Sequence, residues 1–111
     1  MMREEAALFK VLGDATRLRL AVLLAMRGET CVCMLAQALG EPDFKVSRHL
    51  GVMRSAGMVE VRREGTWIYY KLAPPRHHLE GCLQDCLREC LEDQETVRAD
   101  GRRLEKATCA K

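Results

Sequence analysis

Residues 58–72, MVEVRREGTWIYYKL, break the pattern of everything around them. In MVEVRR, 58–63, apolar and polar residues alternate, which is the mark of a strand with two unlike faces. Glu64-Gly65 is a pair suited to a hairpin turn. TWIYYKL, 66–72, is rich in the β-branched and aromatic residues that fill strands, and Pro74-Pro75 stops it from extending. A lone hairpin set into a chain whose other segments carry helical spacing confines the fold class to mainly α with a small β element.

The helical segments are legible by period and punctuation. In 3–12 the apolar residues Ala6, Ala7, Leu8, Val11 and Leu12 keep helical spacing, and Gly13 ends the run. Asp14 caps the next helix, whose buried face is Leu18, Val22 and Leu23 and whose stop is Gly28. CVCMLAQAL, 31–39, is a short helix ended by Gly40. Glu41-Pro42-Asp43 turns the chain, with Asp43 in place to cap FKVSRHLGVMRSA, 44–56, before Gly57. Residues 76–92 return to helix with Leu79, Leu83, Leu87 and Leu91 at four-residue intervals. The polar segment 93–111 is expected to be helical in part, with a frayed end.

Helix, helix, short helix, turn, helix, hairpin, helix is the order of a winged helix-turn-helix. At 111 residues, one domain with a core is expected, since folding at this size buries roughly 60–70% of the surface the unfolded chain exposes. The parts are 31–56 for the helix-turn-helix, 58–72 for the wing, and 1–13 with 76–108 for helices that pair two copies. The Leu stripe supports that pairing, because little in the chain is obviously left to cover it, and a two-fold dimer sets two reading helices one DNA turn apart.

Net charge is only +2, so location matters more than total. On 44–56, Val46, Leu50 and Met53 face the core at i, i+4 and i+7, which leaves Lys45, Ser47, Arg48 and His49 largely outside it, with Arg54 beyond. Arg reads guanine edges and phosphate, Ser and His hydrogen-bond, and Lys meets phosphate. Arg62 and Arg63 sit near the hairpin turn, where they reach a backbone or minor groove. Gln37, on the first helix of the pair, joins the DNA-facing candidates. The acidic residues Glu89, Glu92, Asp93 and Glu95 collect in the last third, so a near-neutral total hides a basic face.

The N-terminus carries charges at 3, 4, 5 and 10 and no apolar h-region, and the longest apolar run, LAVLLAM, is too short to span a membrane. A cytoplasmic protein is expected, with no membrane partner. There thiols stay reduced, and six cysteines point to metal binding or redox chemistry rather than to staples. An enzyme needs Cys-x-x-Cys or an activated nucleophile beside a phosphate-type loop, and neither occurs.

Cys31 and Cys33 stand at i and i+2. On a helix such positions point roughly 200° apart, while in extended backbone they share a face. They grip one ion only where the chain is not fully helical. A helix N-terminus favours the thiolate, and thiolates select soft metals and metalloids. A ligand drawing both sulfurs together distorts the start of this helix and so disturbs the reading helix packed on it. Cys82, Cys86 and Cys90 lie one per helical turn, where neighbours chelate but all three spread over roughly 12 Å, too far for one ion. A pair of them completed by a partner's thiol or by Cys109 is one option, and burial in a dimer seam beside the leucines is the other. His77 and His78 read as surface residues at a helix start.

Over residues 6–92 the chain resembles the ArsR/SmtB family of metalloregulatory repressors. LGDATRLRLAVLL is similar to that family's second helix, and KVSRHLGVMRSAGMVEVRREGTWIYYKL to its recognition helix and wing. The resemblance implies a homodimer paired through first and last helices that holds double-stranded operator DNA when empty and leaves it when ligand binds. ETCVCML resembles the arsenic-type box Glu-Leu-Cys-Val-Cys-Asp-Leu, which implies As(III) or Sb(III) as inducer at Cys31 and Cys33, with no organic cofactor. Thr30 and Met34 depart from the box, and Ala36 stands where some members carry a third cysteine. The alternative keeps the repressor but has it sense thiol oxidation, or another soft metal such as Cd, Pb or Zn, through the C-terminal cysteines.

Overall fold

A computed structural model describes residues 2–109. Its elements in chain order are α1 (Arg3–Leu12), α2 (Ala15–Arg27), β1 (Thr30–Cys31), α3 (Val32–Leu39), α4 (Asp43–Ser55), β2 (Val59–Glu64), β3 (Trp67–Leu72), α5 (His78–Glu89) and α6 (Glu95–Lys106). The mainly α chain with a β wing is the architecture expected from the sequence.

Helix α2 is the hub. Asp14 holds extended backbone and accepts a hydrogen bond from the Arg17 amide at 3.0 Å, capping the helix as its side chain suggests. Leu20, Val22, Leu23 and Leu24 are buried, and Leu35 of α3 and Val46, Leu50 and Met53 of α4 complete the same core. Gly40 ends α3 in the left-handed conformation that a Cβ disfavours, and the chain turns into α4. Asp43 is not the cap expected of it. Helix α4 already includes it, and Pro42 holds the extended cap position.

The hairpin pairs Val59 with Leu72 through Glu64 with Trp67. Its loop is therefore Gly65–Thr66, one residue beyond the expected Glu64-Gly65. Gly65 has φ 63° and, among the described residues, only glycines take positive φ, the pattern of a type II′ turn. A third strand was not anticipated: β1 pairs antiparallel with β3, Thr30 opposite Tyr70 and Cys31 opposite Tyr69, giving sheet order β1-β3-β2.

The last third differs most from expectation. The helix expected over 76–92 is α5 alone, closing at Cys90, and the segment expected to be helical in part forms a second, well-defined helix, α6, over Glu95–Lys106. Part of the leucine stripe turns into the chain's own core: Leu87 is buried there and Leu83 and Leu91, partly buried, pack against it, whereas Leu79 does not join it. Helix α6 is highly polar and docks by charge. Asp100, only 1% exposed, takes the Arg19 guanidinium on both oxygens at 2.7 and 2.9 Å, and Arg103 at 2.7 Å. Arg103 also donates to the Ala38 carbonyl at 2.6 Å, which ties α6 directly to α3. None of the described helices is long and apolar enough to cross a membrane.

Candidate thiol site and nucleic-acid interface

Cys31 is where sheet becomes helix. It is the last residue of β1 and the N-cap of α3, with φ −72° and ψ 144°, while Cys33 already lies in the first turn. The extended cap residue lets the i, i+2 pair converge, and the two sulfurs stand 3.6 Å apart. Two thiolates sharing a tetrahedral ion at about 2.3 Å each are about 3.8 Å apart, so the gap already has the span of a chelate.

A third sulfur joins them from the far end of the chain. Cys33 and Cys109 are in disulfide contact, with Cα atoms 6.2 Å apart at a sequence separation of 76. The ligand atoms of Cys31, Cys33 and Cys109 all lie within 4.8 Å of one another, the one such group of three among the described residues. The tail is held in place by the Gln37 amide, which donates to the Thr108 carbonyl at 2.6 Å and accepts from the Thr108 amide at 3.2 Å. Gln37, expected to face DNA, is thus occupied by the tail. Sequence reading placed Cys109 elsewhere, as a partner for the α5 cysteines.

The sulfurs open onto a cleft of about 450 Å³ whose other walls are Asp43 and Ser47 of α4 and Thr66, Trp67 and Ile68 at the hairpin tip. Thiols, reading helix and wing share one cavity.

The α5 cysteines lie apart from that cluster. Cys82, Cys86 and Cys90 are exposed. Cys82 Sγ is 3.4 Å from Nε2 of His78, and a hydrogen bond with Cys86 pushes the Cys90 thiol up from its ordinary range. His77 is not a free surface residue: its Nδ1 accepts from the Glu80 amide at 3.3 Å and caps α5.

On α4, Ser47, Arg48 and Arg54 are exposed. Phe44, 69% exposed and unremarked in the sequence, stands one turn before Arg48, whose guanidinium lies 6.0 Å from its ring centre. Lys45 pairs with Glu41 at 3.2 Å. His49 turns inward, 3.4 Å from the Arg17 guanidinium and 4.0 Å from the Asp14 carboxylate. The two wing arginines differ sharply. Arg62 is bound by Glu29 at 2.8 Å and Glu64 at 3.2 Å and stacks 4.5 Å over Tyr69, while Arg63 is exposed with no carboxylate partner among the described residues. The hydrogen bond from Arg62 holds the Glu29 carboxyl below its usual range.

A family model described as bacterial regulatory protein, arsR family, matches residues 14–61. The chain is also 38% identical over 103 residues to the arsenical resistance operon repressor of Escherichia coli, covering 93% of this chain and 86% of that one. The chain belongs to the arsR family. A second relative of this arsR-family chain, an arsenic resistance transcriptional regulator of Pseudomonas putida, is 52% identical over 66 residues, covering 60% of this chain and 57% of its own length. Among solved structures, the homodimeric winged helix-turn-helix DNA-binding domain of a possible ArsR-family regulator from Mycobacterium bovis matches with TM-score 0.66 and 35% identity, over 85% of this chain and 87% of that one. The chain is therefore a DNA-binding transcriptional regulator and not an enzyme. The family match ends at residue 61, so α5, α6 and Cys109 lie outside it.

Proposed function

We propose that the chain is a homodimeric repressor that holds operator DNA while its thiols are free and lets go when trivalent arsenic or antimony bridges Cys31 and Cys33. The observation that carries this reading is the 3.6 Å sulfur pair at the junction of β1 and α3. Soft thiolates select thiophilic ligands. The position supplies the coupling: Cys31 stands opposite Tyr69 of the wing in the β1–β3 pairing, and Cys33 is in the first turn of the helix on which α4 packs. Drawing the sulfurs onto one ion changes the backbone that sets wing and reading helix against each other. The ligand then stabilises a conformation in which the two no longer fit adjacent DNA surfaces.

The reading of the DNA follows from α4. Ser47, Arg48 and Arg54 present hydrogen-bond donors to base edges and phosphates of a major groove, with Arg63 reaching the flanking backbone. Two copies related by a two-fold axis place two such helices one turn apart. The arsenic-resistance relatives and the homodimeric relative from Mycobacterium bovis support this reading by likeness.

The test is fluorescence anisotropy on the chain's own upstream DNA, in reductant, titrated with arsenite. Wild type is expected to release the DNA, and the Cys31→Ser/Cys33→Ser variant to stay bound throughout. Release of both at the same arsenite concentration sinks the assignment to this pair and moves the sensor to Cys82, Cys86 and Cys90. A second reading, release on thiol oxidation, is favoured by the Cys33–Cys109 contact rather than by the α5 cysteines. It requires that peroxide alone releases the DNA and that a reductant restores binding.

A further inference from the structure

We propose that Cys109 is the third ligand of the inducer site, so that a trivalent metalloid is held between the DNA-reading helix pair and the tail after α6, which is already docked beside it. The inference rests on the reading of Cys31 and Cys33 as the sensor and extends it to the end of the chain. Within the box a third thiol has no place: Ala36, one turn along α3, is buried in the core. The third sulfur is delivered instead from a distance, and the structure shows what delivers it. Asp100 anchors α6 to α2 through Arg19, Arg103 anchors it to α3 through the Ala38 carbonyl, and Gln37 fixes Thr108 on both of its backbone groups. Each contact shortens the freedom left to Cys109, which ends beside Cys33 on the wall of the cleft.

The chemistry of the trio selects a class of ligand. Arsenite, As(OH)₃, exchanges three hydroxyls for three thiolates. Three S–H and three As–O bonds break, three As–S bonds form, three waters leave, and arsenic stays trivalent. Where Cys33 and Cys109 are joined, a dithiol reductant must first supply two electrons and two protons. A divalent ion such as zinc favours four protein ligands in a closed site. Among the described residues no fourth His, Cys, Asp or Glu joins this group, so three-coordinate metalloids suit it better than tetrahedral divalent ions.

The experiment uses the full chain, reduced, carrying Cys82→Ser, Cys86→Ser and Cys90→Ser so that only the trio reacts. Two probes are compared: arsenite, with three exchangeable positions, and phenylarsine oxide, which takes only two thiols. In the background chain one arsenite is expected to protect three thiols from a disulfide reagent. After Cys109→Ser, one arsenite protects two, and release of DNA needs roughly a hundred-fold more arsenite, since an intramolecular third arm is lost. Phenylarsine oxide is expected to release the background chain and the Cys109→Ser variant at the same concentration. This shows that the variant is folded and that the defect is the missing third bond. Unchanged arsenite sensitivity in Cys109→Ser, or a Cys109 thiol that stays reactive in the arsenite complex, overturns the third-ligand assignment and leaves the two-thiol reading standing. Indifference of the background chain to both arsenicals overturns the two-thiol reading itself.

Discussion

At the scale of single residues, charge alone is a poor guide to which side chains meet DNA. Arg62 and Arg63 are neighbours on β2, yet Glu29, Glu64 and the Tyr69 ring already engage Arg62. A phosphate has to compete with those partners. Arg63→Ala is therefore expected to weaken operator binding and lower the slope of log affinity against log salt by about one, the signature of one lost phosphate contact. Arg62→Ala is expected to move that slope less and to loosen the wing instead. Anisotropy over a salt series decides between them, and equal slopes for the two variants would refute the distinction. The inward turn of His49 has the same origin. Three of the four side chains expected outside the core on that stretch of α4 do stand outside it or at its rim, but His49 falls at the edge where Asp14 and Arg17 of α2 wait. Periodicity gives a face and cannot show which neighbours border it.

At the scale of elements, the helices with apolar stripes and the alternating hairpin were legible, and the exceptions have physical reasons. Strand β1 is two residues long, too short to show a period, and only its pairing with β3 defines it. Helix α6 has little apolar stripe to read because an ion network docks it, and a network linking residues 81 positions apart leaves no local signal. Of the thiol site, the Cys31–Cys33 pair was legible from spacing, whereas Cys109 became part of it only through α6. Asp100 should then matter far beyond its size. Asp100→Ala leaves Arg19 half-buried without its partner, a loss expected to cost about 3–5 kcal/mol, read by urea denaturation. The same variant is expected to free Cys109, seen as faster thiol labelling. Helix α5 is pinned by a second charged contact. Glu80, 3% exposed, takes the Arg76 backbone amide at 2.7 Å and its guanidinium at 3.0 Å, and that guanidinium covers Gly57, where φ is +77° and a Cβ would meet it at 2.6 Å. Burial opposes the charge of Glu80, but the Arg76 hydrogen bonds outweigh it and hold the carboxyl below its ordinary value of 4.5. A depressed carboxyl contributes stability that is present above the unfolded value and lost as pH falls through the lower folded one. Glu80→Gln is accordingly expected to destabilise by about 2 kcal/mol at neutral pH and by progressively less below pH 4.5, in denaturation curves across the acid range.

At the scale of the whole molecule, the packing of most of the leucine stripe within the chain changes what can hold two copies together. Leu83, Leu87 and Leu91 pack within the chain, so in the proposed dimer the outer surface of α1 and α5 is the face to test for the two-fold interface. Its apolar element on α1 is Phe9, 54% exposed although both its helical neighbours Leu8 and Val11 are buried in or against the core. A single exposed apolar side chain is ordinary on a protein surface, so Phe9 is chosen for its place on a helix assigned to the proposed pairing. Phe9→Glu removes nothing from the core and puts a charge where a second copy would bury apolar surface. The expected result is a folded monomer, seen in sedimentation as half the wild-type mass, with thermal unfolding still cooperative. Operator affinity should fall with it, because one α4 reads one half-site and the second contact is no longer intramolecular. A Phe9→Glu chain that stays dimeric and binds DNA as before would place the interface elsewhere on the surface. In that event the exposed α5 face carrying Cys82 and Cys86 is the next region to test by charge insertion.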